Sequence, residues 1–276
     1  MGFVREPAVS GMFYPDDPET LRKDIEKYLN NADIPPVSGE IVGIIAPHAG
    51  YMYSGQVAAY GFKAITNKKA DTVIVLAPSH RIHFEGIAVM EKGSYKTPLG
   101  LVRIDEESVA DLVRSSAAIK PFAEAHKGEH SLEVQLPFLQ STLKDFAIVP
   151  MIMGTQTIDL CVALSDCIED LIRNGRRQFL VVGSTDLSHY HPYTTAVKLD
   201  SVIVSHLEDF DVPGMVKDLN ADKGEACGAG PMLTTMMVSD KLGARHSRVM
   251  KYANSGDVSG DRSAVVGYVS AVFYKS

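Results

Sequence analysis

Short apolar runs alternate with amphipathic segments along most of the chain. Runs that are apolar at nearly every position are typical of strands buried on both faces, and they cover residues 41–46, 72–77, 147–153 and 179–184. The segments between them repeat apolar residues at helical spacing, which predicts helices over 55–66, 106–116, 131–143, 157–175 and 193–210. An earlier helix is predicted from Asp17, a capping residue followed by Pro18, to Asn30 and Asn31. This alternation predicts an α/β fold, with a central, mostly parallel mixed sheet and helices on both of its faces.

The last part of the chain has a different pattern. Two strand-like runs, 247–254 and 264–274, are separated by the polar segment 256–262, which is too short for a crossover helix. Adjacent strands joined by so short a connection predict an antiparallel pair. The sequence shows no internal repeat and no break in composition, so we expect residues 1–276 to form one domain.

The composition is that of a globular protein, with 45% hydrophobic and 22% charged residues among 276. The chain carries 27 basic and 34 acidic side chains, a net charge of −7. Nucleic acids and anionic membranes are bound through clustered Lys and Arg, so this balance predicts neither partner. The 3 cysteines are too few for a disulfide framework. Their odd number and wide separation suit a reducing compartment, so we expect a cytoplasmic protein. No apolar stretch reaches the roughly 18 residues of a membrane span.

Histidines follow three of the predicted strands. His48, His80 and His189 each come within five residues of the end of an apolar run. Ligands of open α/β sheets bind beyond the carboxyl ends of the strands, so we expect these imidazoles to lie at one edge of the sheet. Converging imidazoles suit a transition metal, or a general base beside an electrophile. One histidine in such a loop is usually an ordinary hydrogen-bonding residue, but three at equivalent positions favour a functional cleft.

Cys227 precedes a segment, 228–243, whose small residues and apolar spacing predict a loop that leads into a helix. A cysteine at a helix N-terminus is pushed toward the thiolate by the helix dipole, which suits a metal ligand or a nucleophile. A small buried side chain packed beside glycines would have the same pattern. The residues around Cys227 do not decide between these interpretations.

The segment 126–130, HKGEH, matches the H-x-x-E-H spacing of one class of zinc peptidase. That motif needs one continuous helix, and Gly128 indicates instead the approach to the helix that follows, so the match carries little weight. Glu129, His130 and Glu133 are still close enough to a helix N-terminus to reach the cleft. We assign His130 and Glu133 to ligand binding.

Tyrosines lie in two of the loops that we expect to line the cleft. Tyr51 and Tyr53 follow His48, and Tyr190 follows His189. Such side chains stack on, or hydrogen-bond to, an aromatic or peptidyl ligand, although a tyrosine packed over the sheet edge is the commoner outcome. We include all three as candidates for substrate binding.

A series of segments resembles, in order, the motifs of the Memo family, which is named for a mediator of receptor-driven cell motility. The resemblance covers nearly the whole chain, and several motifs are long enough to be specific. The segments are REPAVSGMFYP (5–15), APHAGYMYSG (46–55), LAPSH (76–80), KTPLG (96–100), GEHSLEVQLPFL (128–139), STDLSHY (184–190) and ACGAGP (226–231).

This resemblance implies both a fold and a site. Memo proteins are similar in fold to the LigB-type class III extradiol dioxygenases, α/β sandwiches in which a non-haem iron opens aromatic diols. By the same resemblance, His48 and His80 match two metal-ligating histidines, and Cys227 matches the cysteine that joins them in binding copper or iron. His189 matches the acid/base histidine of the dioxygenases. Asp186 lies in the same loop and is expected to orient His189, as carboxylates beside metal sites do.

One departure limits what the resemblance implies about the reaction. Iron sites of the facial-triad type use two histidines and a carboxylate, whereas the third ligand matched here is Cys227. Thiolate favours softer metals such as Cu(I), so ring-cleaving activity is not carried over. The leading hypothesis is a copper- or iron-binding redox site of His48, His80 and Cys227, with His189 as a fourth ligand or a proton-transfer group. Its chemistry would involve oxygen or a reduced oxygen species, or the oxidation of a small aromatic or peptidyl substrate.

Two other functions remain open. The same cleft suits a non-catalytic module for a phosphotyrosine peptide or a protein, although phosphate is usually bound by clustered arginines. Two histidines, a cysteine and a water also describe a catalytic zinc site, and hence a zinc-dependent hydrolase. The resemblance further implies, for microbial relatives, protein partners in a system linked to a radical-SAM protein. The substrate, the metal and the oligomeric state are left open by the sequence.

Overall fold

Two layers of helices enclose a mixed β-sheet. This computed structural model describes residues 3–276. The strands are β1 (Val4–Arg5), β2 (Ile41–Ala46), β3 (Thr72–Pro78), β4 (Ile87–Val89), β5 (Ser94–Thr97), β6 (Gly100–Arg103), β7 (Ile119–Pro121), β8 (Ala147–Met153), β9 (Phe179–Ser184), β10 (His189–His191), β11 (His246–Asn254) and β12 (Val265–Tyr274). The helices are α1 (Pro18–Asn31), α2 (Tyr51–Ala64), α3 (Glu106–Ser115), α4 (Glu124–Lys127), α5 (Gln135–Thr142), α6 (Ile158–Asn174), α7 (Tyr193–Glu208), α8 (Val212–Asn220), α9 (Ala229–Lys241) and α10 (Ser255–Ser259). Within the described range, no helix combines the length and the apolar character that crossing a bilayer requires.

Parallel strands form the centre of the main sheet. Its strand order is β10–β12–β2–β9–β3–β8–β4–β7, and β11 pairs with β12. The pairs β2–β9, β9–β3 and β3–β8 are parallel, whereas β12 is antiparallel to β2 and to β11, and β4 is antiparallel to β8. The sheet is therefore mixed, with a parallel centre and antiparallel pairs toward its edges. Strands β1, β5 and β6 form a separate small sheet.

Helices cover the central strands on both faces. Every residue of β2 and β3 is buried, which explains why these runs lack the polar alternation of a half-exposed strand. Helix α9 covers one face, where Gly43 of β2 permits a close approach: a Cβ at that position would lie 2.4 Å from Ser239 Oγ. Helix α2 covers the other face, where Gly61 packs against Ser270 of β12. The carboxyl ends of β2, β3 and β9 are thus fixed relative to one another.

Most predicted elements are found with small differences at their ends. The apolar runs 41–46, 147–153 and 179–184 are β2, β8 and β9, and β3 is one residue longer than predicted. The α1 cap is confirmed, because Asp17 accepts a 2.8 Å hydrogen bond from Thr20 N. The antiparallel pairing of the last two strands is confirmed as well.

Some boundaries differ from the prediction for local reasons. Helix α5 begins at Gln135 rather than near Ser131, because the Glu129 carboxylate accepts hydrogen bonds from the amides of His130 and Ser131 and holds a turn there. Helix α2 begins four residues earlier than predicted, at Tyr51. The polar connection before β12 contains the short helix α10. Strands β4, β7 and β10 were not predicted, since three residues are too few for a periodic signal.

Candidate metal centre

Three histidines converge beyond the carboxyl ends of the parallel strands. His48 follows β2, His80 follows β3, and His130 lies between α4 and α5. One ligand nitrogen of each lies within 4.8 Å of the other two. The ring centroids are 5.1 Å apart for His48 and His80, 5.5 Å for His48 and His130, and 4.7 Å for His80 and His130. Imidazoles this close together can hold a transition-metal ion.

A buried chain of hydrogen bonds holds His48 in one tautomer. Ser184 Oγ donates its proton to Ser131 O at 2.7 Å, so it accepts from Gln135 Nε2 and from His48 Nδ1, each at 2.8 Å. The Nδ1 atom of His48 therefore carries the ring proton, and Nε2 keeps the lone pair that a metal requires. Burial, followed by the neighbouring histidines, lowers the pKa of His48 well below its ordinary value. The ring is consequently neutral at pH 7.

Glu129 holds the other two rings. The carboxylate of Glu129 is buried, and its Oε1 lies 3.0 Å from His80 Nδ1 and 3.3 Å from His130 Nδ1. Its Oε2 accepts a hydrogen bond from the backbone N–H of His80 at 2.5 Å. Burial alone would raise the pKa of Glu129, but the hydrogen bonds from the His80 ring and backbone outweigh it and lower that pKa to about 2. Burial lowers the pKa of His130 to about 4. An ionised carboxylate on the Nδ1 side orients such rings and makes their other nitrogen a better ligand.

Cys227 approaches the same site from the loop before α9. Its Sγ lies 3.2 Å from His48 Nε2 and accepts a hydrogen bond from Asp186 N at 3.3 Å. Burial, and then the negative charge of Asp186, raise the pKa of the Cys227 thiol to about 12. The start of the helix therefore does not make this residue a thiolate, and the thiol proton has two acceptors within reach, His48 Nε2 and Asp186 O at 3.6 Å. A metal ion would displace that proton, because a coordinating thiol is deprotonated.

The distance between Cys227 and His48 fits a shared ion. Metal–nitrogen bonds are about 2.0–2.1 Å long and metal–sulfur bonds about 2.3 Å. If the nitrogen–metal–sulfur angle lies between a right angle and the tetrahedral angle, the nitrogen and the sulfur are about 3.1–3.6 Å apart. The His48 Nε2 to Cys227 Sγ separation of 3.2 Å falls within that range. His48 belongs to the three-histidine cluster and also contacts Cys227, which is not one of the three residues whose ligand atoms lie within 4.8 Å of one another. The three histidines, with Cys227 beside them, fit a metal.

Asp186 contacts His48 and not His189, which corrects its expected partner. Its Oδ1 accepts from His48 N at 2.8 Å, and its Oδ2 lies 3.9 Å from His48 Nε2. Burial raises the pKa of Asp186 to about 7. His189 instead bonds to Leu187 O through Nδ1 at 2.8 Å, which leaves the lone pair on Nε2. Burial lowers the pKa of His189, so this ring is also neutral at pH 7.

A cavity of about 400 Å³ opens beside Cys227 and His189. Among the described lining residues, Glu225 is the only acidic or basic side chain apart from His189. Its carboxylate oxygens lie 2.9 and 3.0 Å from His191 Nε2. A lining with one carboxylate and no Lys or Arg favours a neutral or cationic ligand over an anionic one. The remaining lining residues are Leu187, Leu219, Asn220, Gly224, Ala226 and Ala229.

The residues predicted to bind substrate lie in different surroundings. Tyr190 is 76% exposed, stands beside His189, and adopts the left-handed backbone region with φ 60°. Tyr53 is half-buried in α2, and His130 belongs to the histidine cluster. Tyr51 and Glu133 are buried groups of the interior instead of cleft residues. The Tyr51 hydroxyl donates to a backbone carbonyl, and the Glu133 carboxylate is occupied by an ion pair and backbone amides.

His130 is the ring that the strand-end argument missed, since it follows no central strand. Its signal in the sequence is its place beside Glu129 near a helix N-terminus, from which both side chains are expected to reach the cleft. The first histidine of that segment, His126, is buried in α4 with its Nδ1 2.6 Å from Tyr95 Oη. Because α4 ends at Lys127, His126 and His130 share no helix, and the zinc-peptidase arrangement is not formed.

Fold and site together define a class, the α/β proteins with a histidine-lined cleft at the carboxyl ends of parallel strands. The family described as "Memo-like protein" matches residues 5–272. A MEMO1 family protein of Methanopyrus kandleri is 39% identical over 98% of each chain. Another, of Sulfolobus acidocaldarius, is 38% identical over 98% of this chain and 99% of its own. The chain therefore belongs to the Memo family.

A solved structure shares the fold at low sequence identity. It is an uncharacterised protein of Escherichia coli K12, which aligns with a TM-score of 0.53 over 84% of this chain and 99% of its own. At 13% identity the likeness concerns the fold alone. The mixed α/β architecture is confirmed, and the LigB-like dioxygenase assignment stays a prediction.

Proposed function

We propose that this Memo family protein is a copper- or iron-dependent redox protein. In this proposal, His48 and His80 hold the ion together with His130, Cys227 or both. The main support is the geometry of the three rings, whose ligand nitrogens lie within 4.8 Å of one another. A bound copper or iron ion would supply electron transfer from a ligand beside it to oxygen, the oxidant in this proposal.

The chain's own groups have distinct tasks in this proposal. Ser184 and Glu129 keep the Nδ1 protons of His48 and His80 away from the metal, so that each ring offers a lone pair. Cys227 adds a sulfur donor, which favours Cu(I). His189 accepts a proton from a ligand in the adjoining cavity, because its Nδ1 is already bound to Leu187 O and its Nε2 is free to act as a base.

The ligand in this proposal is a small aromatic or peptidyl molecule. The 400 Å³ cavity is within the usual size of small-molecule sites, and Leu187 and Leu219 supply apolar surface. A phosphotyrosine-binding role finds less support at this cavity. Glu225 would repel a phosphate, and the carboxylates of Glu129 and Asp186 lie close behind the rings.

A zinc-dependent hydrolase is the second candidate, and the position of His130 favours it. Three histidines with one open coordination position for water form a known catalytic zinc set. In such a site the metal lowers the pKa of its bound water, and no change of oxidation state is needed. The metal that the protein retains therefore separates the two candidates, because imidazoles suit zinc, copper and iron alike.

Elemental analysis after metal competition tests the proposal. Protein without a His-tag is incubated anaerobically with Fe(II), Cu(I) and Zn(II) together, and bound metal is measured after desalting. We expect one equivalent of copper or iron in the parent and none in His48→Ala. His130→Ala and Cys227→Ala then show which of the two residues completes the site.

The matched control is His246→Ala, which removes an exposed histidine that bonds to Ser276 Oγ far from the cluster. It should retain metal as the parent does, and circular dichroism verifies that each variant is folded. A parent that holds no metal, or a folded His48→Ala that holds as much as the parent, contradicts metal binding. Retention of zinc alone would replace the redox proposal with the hydrolase.

A further inference from the structure

Arg5 ties the N-terminal segment to the loop that carries His130. The side chain is buried, and its guanidinium donates to Glu129 O at 2.6 Å and to His126 O at 2.9 Å. Its Nη1 forms a buried ion pair with Glu133. The three partners lie before, within and after the Glu129–His130 pair, so one side chain braces this loop at three points.

Glu133 completes the connection from the other side. Its carboxylate also accepts hydrogen bonds from Ala8 N at 2.7 Å, Val9 N at 3.1 Å and Tyr14 Oη at 2.5 Å. Arg5 and Glu133 thereby join segments 5–14 and 126–133, which are more than 110 residues apart in the chain, into one buried unit. None of these contacts reaches a ring of the histidine cluster.

The two sides of Glu129 have different partners. Arg5 holds its backbone carbonyl, while its carboxylate lies against the Nδ1 atoms of His80 and His130. A shift of this backbone would move the carboxylate away from both rings. The planar guanidinium presents several donors in a fixed fork, an arrangement that a lysine ammonium cannot reproduce.

We propose that Arg5 is a positioning residue of the metal centre. By fixing the backbone of Glu129, it keeps the carboxylate on His80 and His130, so metal affinity depends on a side chain that makes no contact with the metal. The inference rests on the proposed metal binding. Because such coupling is reciprocal, a bound metal also slows amide exchange in segment 5–14.

The test compares the Zn(II) affinity of the full-length parent protein with that of the full-length Arg5→Lys variant. Both affinities are measured by competition with a chromophoric chelator. Lysine keeps a cation beside Glu133 but cannot make all three contacts, so we expect affinity about tenfold lower. The matched control is Arg177→Lys, which alters the ion pair with buried Asp105, the N-cap of α3 that accepts from Thr72 at the start of β3, remote from the cluster. Arg177→Lys should leave Zn(II) affinity unchanged even where it lowers thermal stability.

A double-mutant cycle separates positioning from general destabilisation. If Arg5 acts through the Glu129 carboxylate, then Arg5→Lys should cause little further loss of affinity in a Glu129→Gln background. An equal loss in both backgrounds overturns the proposal, as does an Arg5→Lys protein that binds Zn(II) within twofold of the parent. Should Arg5→Lys not fold, the double variant Arg5→Met with Glu133→Gln removes both charges and is measured in its place.

A metal-free readout keeps this inference distinct from the proposed function. In ¹⁵N-labelled protein without metal, Arg5→Lys should shift the ring nitrogen signals of His80 and His130 and leave those of His48 unchanged. A parent that binds no metal contradicts the proposed function, while these signals still report whether Arg5 positions the rings. Unchanged signals for all three histidines overturn the positioning role itself.

Discussion

Buried carboxylates lie at both ends of the parallel strands, and the two ends use them differently. At the amino end, Asp105 accepts hydrogen bonds from Thr72 Oγ1 at 2.5 Å and from Ser108 Oγ at 2.8 Å, and it forms an ion pair with Arg177. These partners join β3, α3 and the loop before β9. All of these partners belong to the chain itself, so the consequence of the network is stability.

At the carboxyl end, Glu129 is also buried, but two of its partners are imidazoles. An imidazole has a second nitrogen, and the rings of His80 and His130 belong to a cluster with His48. A carboxylate of the same chemistry therefore orients histidine rings whose nitrogens are available to bind a metal ion. The comparison shows that the partners of a buried charge, and not its burial, decide whether it serves stability or binding.

The largest effect should come from Asp105→Ala at the amino end. The change leaves Arg177 and two buried hydroxyls without their acceptor, and since Arg177 is partly exposed we expect a loss of about 2–3 kcal/mol in the free energy of unfolding. Urea denaturation measures it. Zn(II) affinity should stay at the parent value, and a fall in affinity would show that the two ends are coupled.

Glu129→Gln should have the next largest effect, on metal affinity. An amide cannot supply the ionised carboxylate that bonds to the His80 ring and lies beside the His130 ring, so affinity should fall about 10- to 100-fold, or about 1.4–2.7 kcal/mol. Chelator competition provides the measurement. Asp105→Asn is the same chemical change at the other end of β3 and should leave affinity intact; equal losses in both variants would contradict the contrast.

Ser184→Ala should lower metal affinity about tenfold, or about 1.4 kcal/mol, because the Nδ1 proton of His48 loses its acceptor and the ring its fixed tautomer. The control is Ser165→Ala, a buried serine of α6 whose hydroxyl donates to Val162 O. Both variants should lose stability. If folded Ser184→Ala binds metal with the affinity of the parent, the Ser184 hydroxyl does not contribute to metal binding.

The smallest effect should appear in acid. Burial raises the pKa of Asp105, but the hydrogen bonds from Arg177, Thr72 and Ser108 outweigh it and hold that pKa below the ordinary value of 3.8. A depressed pKa contributes stability above the ordinary value and loses it as the pH falls through the folded-state pKa. Urea denaturation below pH 4 should therefore show a steeper loss for the parent than for Asp105→Asn. Parallel curves would show that Asp105 adds nothing to the acid dependence.

Much of the architecture follows from the sequence because its causes are local. Apolar runs without polar alternation become strands covered on both faces, and β2, β8 and β9 have the predicted limits. The strand-end rule correctly brings His48 and His80 together, since parallel strands end at the same edge. The Memo resemblance, carried by motifs along the whole chain, is confirmed by the family match.

Other features were decided only by the tertiary structure. His130 joins the cluster from a loop outside the central strands, Asp186 turns to His48, and Glu133 is drawn into the interior by Arg5, 128 residues away in the chain. No periodicity encodes such contacts, because they depend on how separate segments pack. The sequence by itself determines which backbone becomes strand or helix and which edge collects histidines. Packing alone determines which side chains face one another, and therefore which carboxylate closes a network and which prepares a metal site.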